Sequence, residues 1–159
     1  MSKLYDALNK QFNFEIESAY VYMAMAAYVD SKGMSGFNHF MVQQAKEEMA
    51  HARKFYDYMM EMDQTPVYTE IPAPKAEYGT FKEVFETALE HEKVVTKNIK
   101  EIYKLAQEEG CLDTQQFLNW FLEEQREEED SFRGIVERLE RINESWNGLY
   151  IYDRELAQR

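Results

Sequence analysis

Helix breakers are confined to a few places in this chain, and their distribution sets what it can fold into. All three prolines, Pro66, Pro72 and Pro74, fall within residues 63–79. Five of the six glycines (Gly33, Gly36, Gly79, Gly110 and Gly148) lie between long periodic segments, and only Gly134 interrupts one. Pro and Gly are the residues least tolerated inside a helix. The chain therefore divides into four long segments, about 4–31, 35–62, 80–109 and 113–144, and a short apolar tail at 149–158 is expected to form a fifth helix. Thr80-Phe-Lys-Glu83 and Asp113-Thr-Gln-Gln116 have the form of capping boxes, and Ser35 is a candidate N-cap.

Each long segment carries an apolar stripe with steps of three and four residues. The stripes run from Leu4 through Phe12 to Val29, from Phe37 through Phe55 to Met62, from Phe81 through Val95 to Ala106, and from Phe117 through Phe132 to Ile142. Such a seam belongs to helices packed nearly parallel or antiparallel, so the expected fold is an all-α four-helix bundle forming one domain over residues 1–159. The first and last pairs are joined by a few residues and must be antiparallel hairpins. The middle link has 17 residues. Helices of this length span ~42 Å, and the link can reach ~56 Å, enough to run the length of the bundle. The link is therefore expected to be a strap carrying Tyr68, Ile71 and Tyr78, with the second and third helices parallel.

The formal net charge is −12. A chain this acidic repels phosphate, which argues against nucleic acid and anionic membrane surfaces as partners. The longest apolar run, residues 19–29, is too short for a membrane span. The single cysteine, Cys111, excludes an internal disulfide and CxxC metal motifs. With no signal-peptide layout at the start, a soluble cytoplasmic protein is expected.

Polar residues interrupt every stripe at one level. The breaks are Glu15, Glu48 with His51, Glu92, and Gln125 with Glu128, against segment centres near residues 17, 48, 94 and 128. Each lies within about three residues of its centre, or ~4.5 Å along the axis. Four glutamates, a histidine and a glutamine should therefore converge in the core. Burying unpaired carboxylates costs several kcal/mol each, on the order of that for any desolvated ion, so a cation must occupy the site or several must be protonated. Two divalent metals would offset four ionised glutamates, and oxygen ligands with one imidazole suit iron or manganese. His39 and His91 read as surface or packing residues, and Met23, Met41 and Met59 as core.

Gln44-Ala-Lys-Glu-Glu-Met-Ala-His51 carries a Glu-Glu-x-x-His core that resembles the ferritins. Glu15, Tyr22, His91-Glu92, Glu124-Gln-Arg-Glu-Glu-Glu129 and the final Asn147-Gly-Leu-Tyr-Ile-Tyr-Asp-Arg-Glu-Leu156 also fall where that family has them. The resemblance covers essentially the whole chain and is nearest to bacterial non-haem ferritins. Only one Glu-x-x-His pair is present; Gln125 and Glu128 stand where bacterioferritins and rubrerythrins have a second histidine.

The resemblance implies a shell of 24 subunits that oxidises Fe(II) with dioxygen or hydrogen peroxide and stores Fe(III) as a mineral. One iron would be held by Glu15, Glu48 and His51, and a second by Glu48 as bridge, Glu92 and Glu128, with Gln125 close by. A third site would use Glu47, Glu124 and Glu127 with Glu128 shared. Tyr22 would donate a hydrogen bond or an electron, and iron would enter near residues 113–118. No haem is expected, although Met49 stands where bacterioferritins place their haem-ligating methionine. The alternatives are a haem-binding bacterioferritin and a diiron peroxidase or oxygenase that stores no iron.

Overall fold

A computed structural model describes residues 2–159 and contains five helices. These are α1 (Lys3–Ser31), α2 (Ser35–Glu61), α3 (Phe81–Glu108), α4 (Leu112–Ile142) and α5 (Trp146–Leu156). No strand occurs among the described residues, and none of their helices is long and apolar enough to cross a membrane.

The strap between α2 and α3 is pinned along α1. Tyr5 Oη donates to the Thr65 carbonyl at 2.5 Å, and the Asn9 and Asn13 amides donate to the Val67 carbonyl at 3.0 and 2.9 Å. The Thr69 N–H returns a bond to Asn13 Oδ1 at 2.9 Å, and farther along Tyr28 Oη donates to the Tyr78 carbonyl. The contacts climb from the start of α1 to its end, so the strap traverses the bundle and α3 begins beside the start of α2. Phe37 of α2 meets Phe81 and Phe85 of α3 edge-on at 5.5 and 5.7 Å. The second and third helices are therefore parallel, as the loop length requires. Tyr78 is buried, whereas Tyr68 is exposed and meets Phe12 in an edge-to-face contact at 5.2 Å.

The helix starts show where local signals are overridden. Thr80 caps α3 as expected, its hydroxyl accepting from Glu83 N at 3.1 Å. Ser35 and Asp113, however, lie inside their helices, and Met34 and Cys111 occupy the cap positions without side-chain cap bonds. At α2 the reason is tertiary. Gly33 takes a left-handed φ of 78°, which turns Met34 fully into the core. The Phe37 N–H then donates to Asp153 Oδ1 of α5 at 2.8 Å, so a distant carboxylate supplies the cap. Gly36 permits this contact: a Cβ there would lie 1.7 Å from the Asp153 carbonyl oxygen. The fifth helix starts at Trp146, three residues before the expected boundary of 149, with Gly148 packed on Ile142 inside its first turn.

The interior is divided in two. One apolar cluster gathers Tyr22, Met25, Phe37, Phe40, Phe85 and Phe132 at the α5 end. The other gathers Leu8, Phe12, Phe55, Val95, Ile99 and Phe121 at the opposite end. Met41 and Met59 are buried in these clusters, but Met23 is half exposed, contrary to its reading as core. Between the clusters lies a belt of buried polar side chains.

Candidate metal centre

Each of the four long helices contributes to that belt at its midpoint. Glu15 comes from α1, Glu48 and His51 from α2, Glu92 from α3, and Gln125 and Glu128 from α4, and all are buried. Spacing of three on a helix puts two side chains on one face. His51 Nδ1 accordingly lies 3.1 Å from Glu48 Oε2 and 3.7 Å from Glu15 Oε2. Ligand atoms of Glu15, Glu48 and His51 all lie within 4.8 Å of one another, as do those of Glu48, Glu92 and Glu128. Glu48 belongs to both sets.

Hydrogen bonds orient the ligating groups. Tyr22 Oη donates to Glu92 Oε1 at 2.5 Å, and Gln125 Nε2 donates to Glu92 Oε2 at 3.0 Å. Gln44 Nε2 spans two helices, donating to Glu128 Oε2 at 2.8 Å and to Glu48 Oε1 at 3.2 Å. Gln11 Nε2 donates to Glu15 Oε1 at 2.9 Å, while Glu15 Oε2 has no hydrogen-bond partner although fully buried. A buried carboxylate oxygen without a partner costs about 1–3 kcal/mol, more when charged. That orphaned oxygen faces the His51–Glu48 pair, as a cation-binding set of donors requires.

The electrostatics agree with this. Burial, and then the charges of Glu92 and Glu15, push Glu48 well above the ordinary carboxylate range. Burial raises Glu92 as well, against the stabilising bonds from Tyr22 and Gln125. Glu128 is pushed up to about 8 by burial and then by Glu92. Burial also opposes ionisation of Glu15, but His51, Glu48 and Gln11 together hold it below its usual value. His51 is raised: burial disfavours its charge, and Glu15, with the charges of Glu128 and Glu124, more than compensates. Without metal, these shifts favour the protonated forms of Glu48, Glu92 and Glu128 and a charged pair of Glu15 with His51. Divalent ions would replace those protons.

The other expected positions separate into two groups. Glu47, Glu124 and Glu127 line a groove of about 580 Å³, which buried Glu128 also reaches, and Glu124 forms a further group within 4.8 Å with His51 and Glu128. Glu124 Oε1 comes to 3.8 Å from His51 Nε2. Met49 is half exposed. His91 stacks on Phe14 at 5.0 Å, its Nε2 2.7 Å from Ser18 Oγ, and burial lowers its pKa; it packs beside the centre.

Sequence reasoning missed Gln11 and Gln44. Both precede a stripe glutamate by four residues, the spacing at which a helical amide meets a carboxylate, and that repeated Gln-x-x-x-Glu pattern could have revealed them. Thr96 was also missed; it donates to Glu129 Oε2 at 2.6 Å, and the Gln125 amide donates to it at 3.3 Å.

Comparison with known proteins fits this geometry. The Ferritin family model, described as a ferritin-like domain, matches residues 5–142. A bacterial non-heme ferritin of Staphylococcus saprophyticus is 45% identical over 99% of this chain and 94% of its own length. One from Staphylococcus aureus is 40% identical over 98% and 94%. An open-pore ferritin from the hyperthermophilic archaeon Archaeoglobus fulgidus has a similar solved structure, with a TM-score of 0.98 and 40% identity over 100% of this chain and 98% of that one. A form of the same archaeal protein engineered to be closed also has a TM-score of 0.98. With its midpoint carboxylates, crossover strap and short final helix, this chain belongs to the ferritin family.

Proposed function

We propose that this protein is a cytoplasmic iron-storage ferritin. It takes up Fe(II), oxidises it at a two-metal centre inside the bundle, and passes Fe(III) to a mineral within a shell of 24 copies. The observation that carries this reading is Glu48, which is shared by two buried three-ligand sets. Fe(II) is the substrate. Glu15, Glu48 and His51 would take one ion; Glu48, Glu92 and Glu128 would take the other, with Gln125 alongside.

Hard carboxylate oxygens favour Fe(III) over Fe(II), so the ligand set itself promotes oxidation. Each of two adjacent ions gives up one electron. Together these reduce dioxygen to hydrogen peroxide, or hydrogen peroxide to water, with two protons consumed. Two divalent ions also balance four ionised glutamates with His51 neutral. Tyr22 keeps its proton, since burial and the charge of Glu92 raise its pKa, and it holds Glu92 in place. Glu47, Glu124 and Glu127, with Glu128, form the third iron position, on the route out of the centre. Exposed apolar residues on long helices (Tyr20, Met23, Val94) and on α5 (Trp146, Tyr150, Ile151) support burial between copies.

The test is aerobic addition of Fe(II) to metal-free protein, followed by absorbance and by particle mass. Ferric absorbance that grows inside a large shell is expected. Oxidation by a particle of one or two subunits would instead favour a diiron peroxidase or oxygenase without storage. Absence of both oxidation and uptake would end the proposal.

A further inference from the structure

The groove lined by Glu47, Glu124, Glu127 and Glu128 already contains a cation, and it belongs to the chain. Arg159 lies three residues past the end of α5 and turns its guanidinium into this groove. Nη2 is 2.7 Å from Glu47 Oε1, Nη1 donates to Gln44 Oε1 at 2.8 Å, and the guanidinium carbon sits 4.4 Å from the centre of the Phe40 ring. A ring nitrogen of His39 lies 2.9 Å from the Arg159 carbonyl oxygen. The side chain is thus held on three sides: by a charge, an amide and an aromatic face.

The contact with Gln44 ties this groove to the buried centre. The Gln44 amide nitrogen donates inward to Glu48 and Glu128. Its oxygen then faces outward and needs a donor, which Arg159 supplies.

We infer that Arg159 is a built-in counter-cation of the third iron position, which an incoming metal ion must displace before it can use Glu47. The inference rests on the reading of this groove as part of an iron-handling centre. In it, Arg159 is a positioning and competing residue, with no part in electron transfer. While the guanidinium is seated, the groove's charge is partly neutralised and Gln44 is locked toward Glu48 and Glu128. When metal replaces it, the arginine swings out and Gln44 loses its outer donor. Ions would therefore stay only briefly in the groove, and the buried pair would refill before the third position does.

The experiment uses assembled full-length protein whose buried centre has first been loaded with Zn(II), counted by calorimetry. Tb(III) is then titrated and followed by emission sensitised through Trp120, one helical turn before Glu124 on α4. The proteins compared are wild type, Arg159→Gln, Arg159→Lys and Glu127→Ala. Arg159→Gln should bind Tb(III) about 2–5-fold more tightly, the scale of one partly exposed ion pair. Arg159→Lys keeps the charge but loses the fork and the face on Phe40, so its affinity should fall between those of wild type and Arg159→Gln. Glu127→Ala should weaken the signal. Equal affinities in wild type and Arg159→Gln, or equal tightening in the Gln and Lys variants, would overturn the inference. So would a Tb(III) signal indifferent to Glu127, or no Tb(III) binding in any variant. Failure of Zn(II) to enter the buried centre in wild type would strike the proposed function itself, and is read in a separate step.

Discussion

The Asp153 carboxylate of α5 accepts a hydrogen bond from the backbone N–H of Phe37, 116 positions earlier in the first turn of α2. A helix start normally capped by its own flanking residue is capped here by the last helix of the chain. Loss of an N-cap costs about 1 kcal/mol. Asp153→Ala should therefore lower subunit stability by roughly that amount, read by urea unfolding. Gly36→Ala should cost more, because its new Cβ would collide with the Asp153 backbone carbonyl, which cannot rotate away. If both variants unfold like wild type, α5 is not anchored through this contact.

Glu48 stands in both buried ligand sets, whereas Glu15 stands only in the first, and His51 is absent from the set of Glu48, Glu92 and Glu128. Glu48→Ala should abolish cooperative binding of two Zn(II) ions, while His51→Ala should retain one. In both variants, initial Fe(II) oxidation should fall by more than the ~10–100-fold typical of losing an outer-sphere partner. The shell should still assemble. Unchanged initial rates would remove these residues from the centre.

Tyr22→Phe removes the donor to Glu92 but keeps the ring that lies parallel to Phe132 at 5.9 Å. Metal affinity or oxidation rate should fall about 10-fold, with stability nearly unchanged. A variant that oxidises Fe(II) at the wild-type rate would reduce Tyr22 to a packing residue.

The buried carboxylates predict a pH dependence for the metal-free protein. Glu128 titrates near 8 when folded, against its ordinary 4.5, and Glu48 and Glu92 are also raised. Between those two values the folded protein holds protons that the unfolded chain has lost, so stability must fall as pH rises. His51, raised above 6.5, acts with the same sign: the stability it contributes is present below 6.5 and is lost as pH rises through its folded pKa. Glu15, which is lowered, works the other way, but only below about 4.5. Thermal melts of metal-free protein should thus show a midpoint that declines from pH 5 toward pH 8. Zn(II) should flatten that slope, because metal-bound carboxylates no longer titrate. A midpoint that rises over this range would contradict the assignment of protons to Glu48, Glu92 and Glu128.

The bundle and the level of its centre could be read from residue types because both depend on regular spacing. Glu15, Glu48, Glu92 and Glu128 each occupy a stripe position that should be apolar, and a helix rises uniformly, so matching positions converge. The features that escaped depend on contacts between segments distant in the chain. Ser35 has the right chemistry for a cap, yet Gly33 and buried Met34 start the helix earlier and Asp153 supplies the oxygen. Met23 keeps the stripe's residue type but sits off its face. Arg159 carries no signal in the residue pattern, and only the path of α5 brings it to Glu47.

The division of the interior into two apolar clusters bears on how such a protein survives its own work. An iron-handling centre must empty as readily as it fills, and each emptying leaves buried carboxyl groups at the waist of the molecule that must take up protons in place of metal. If cohesion depended on that waist, every release of cargo would loosen the subunit. Here the aromatic packing lies above and below it, with Phe85 and Phe132 at one end and Phe55 and Phe121 at the other. The two ends act as clamps that hold the helices in register whether or not metal is present. Loss of metal then shifts stability through the belt, while the packing at both ends stays in place.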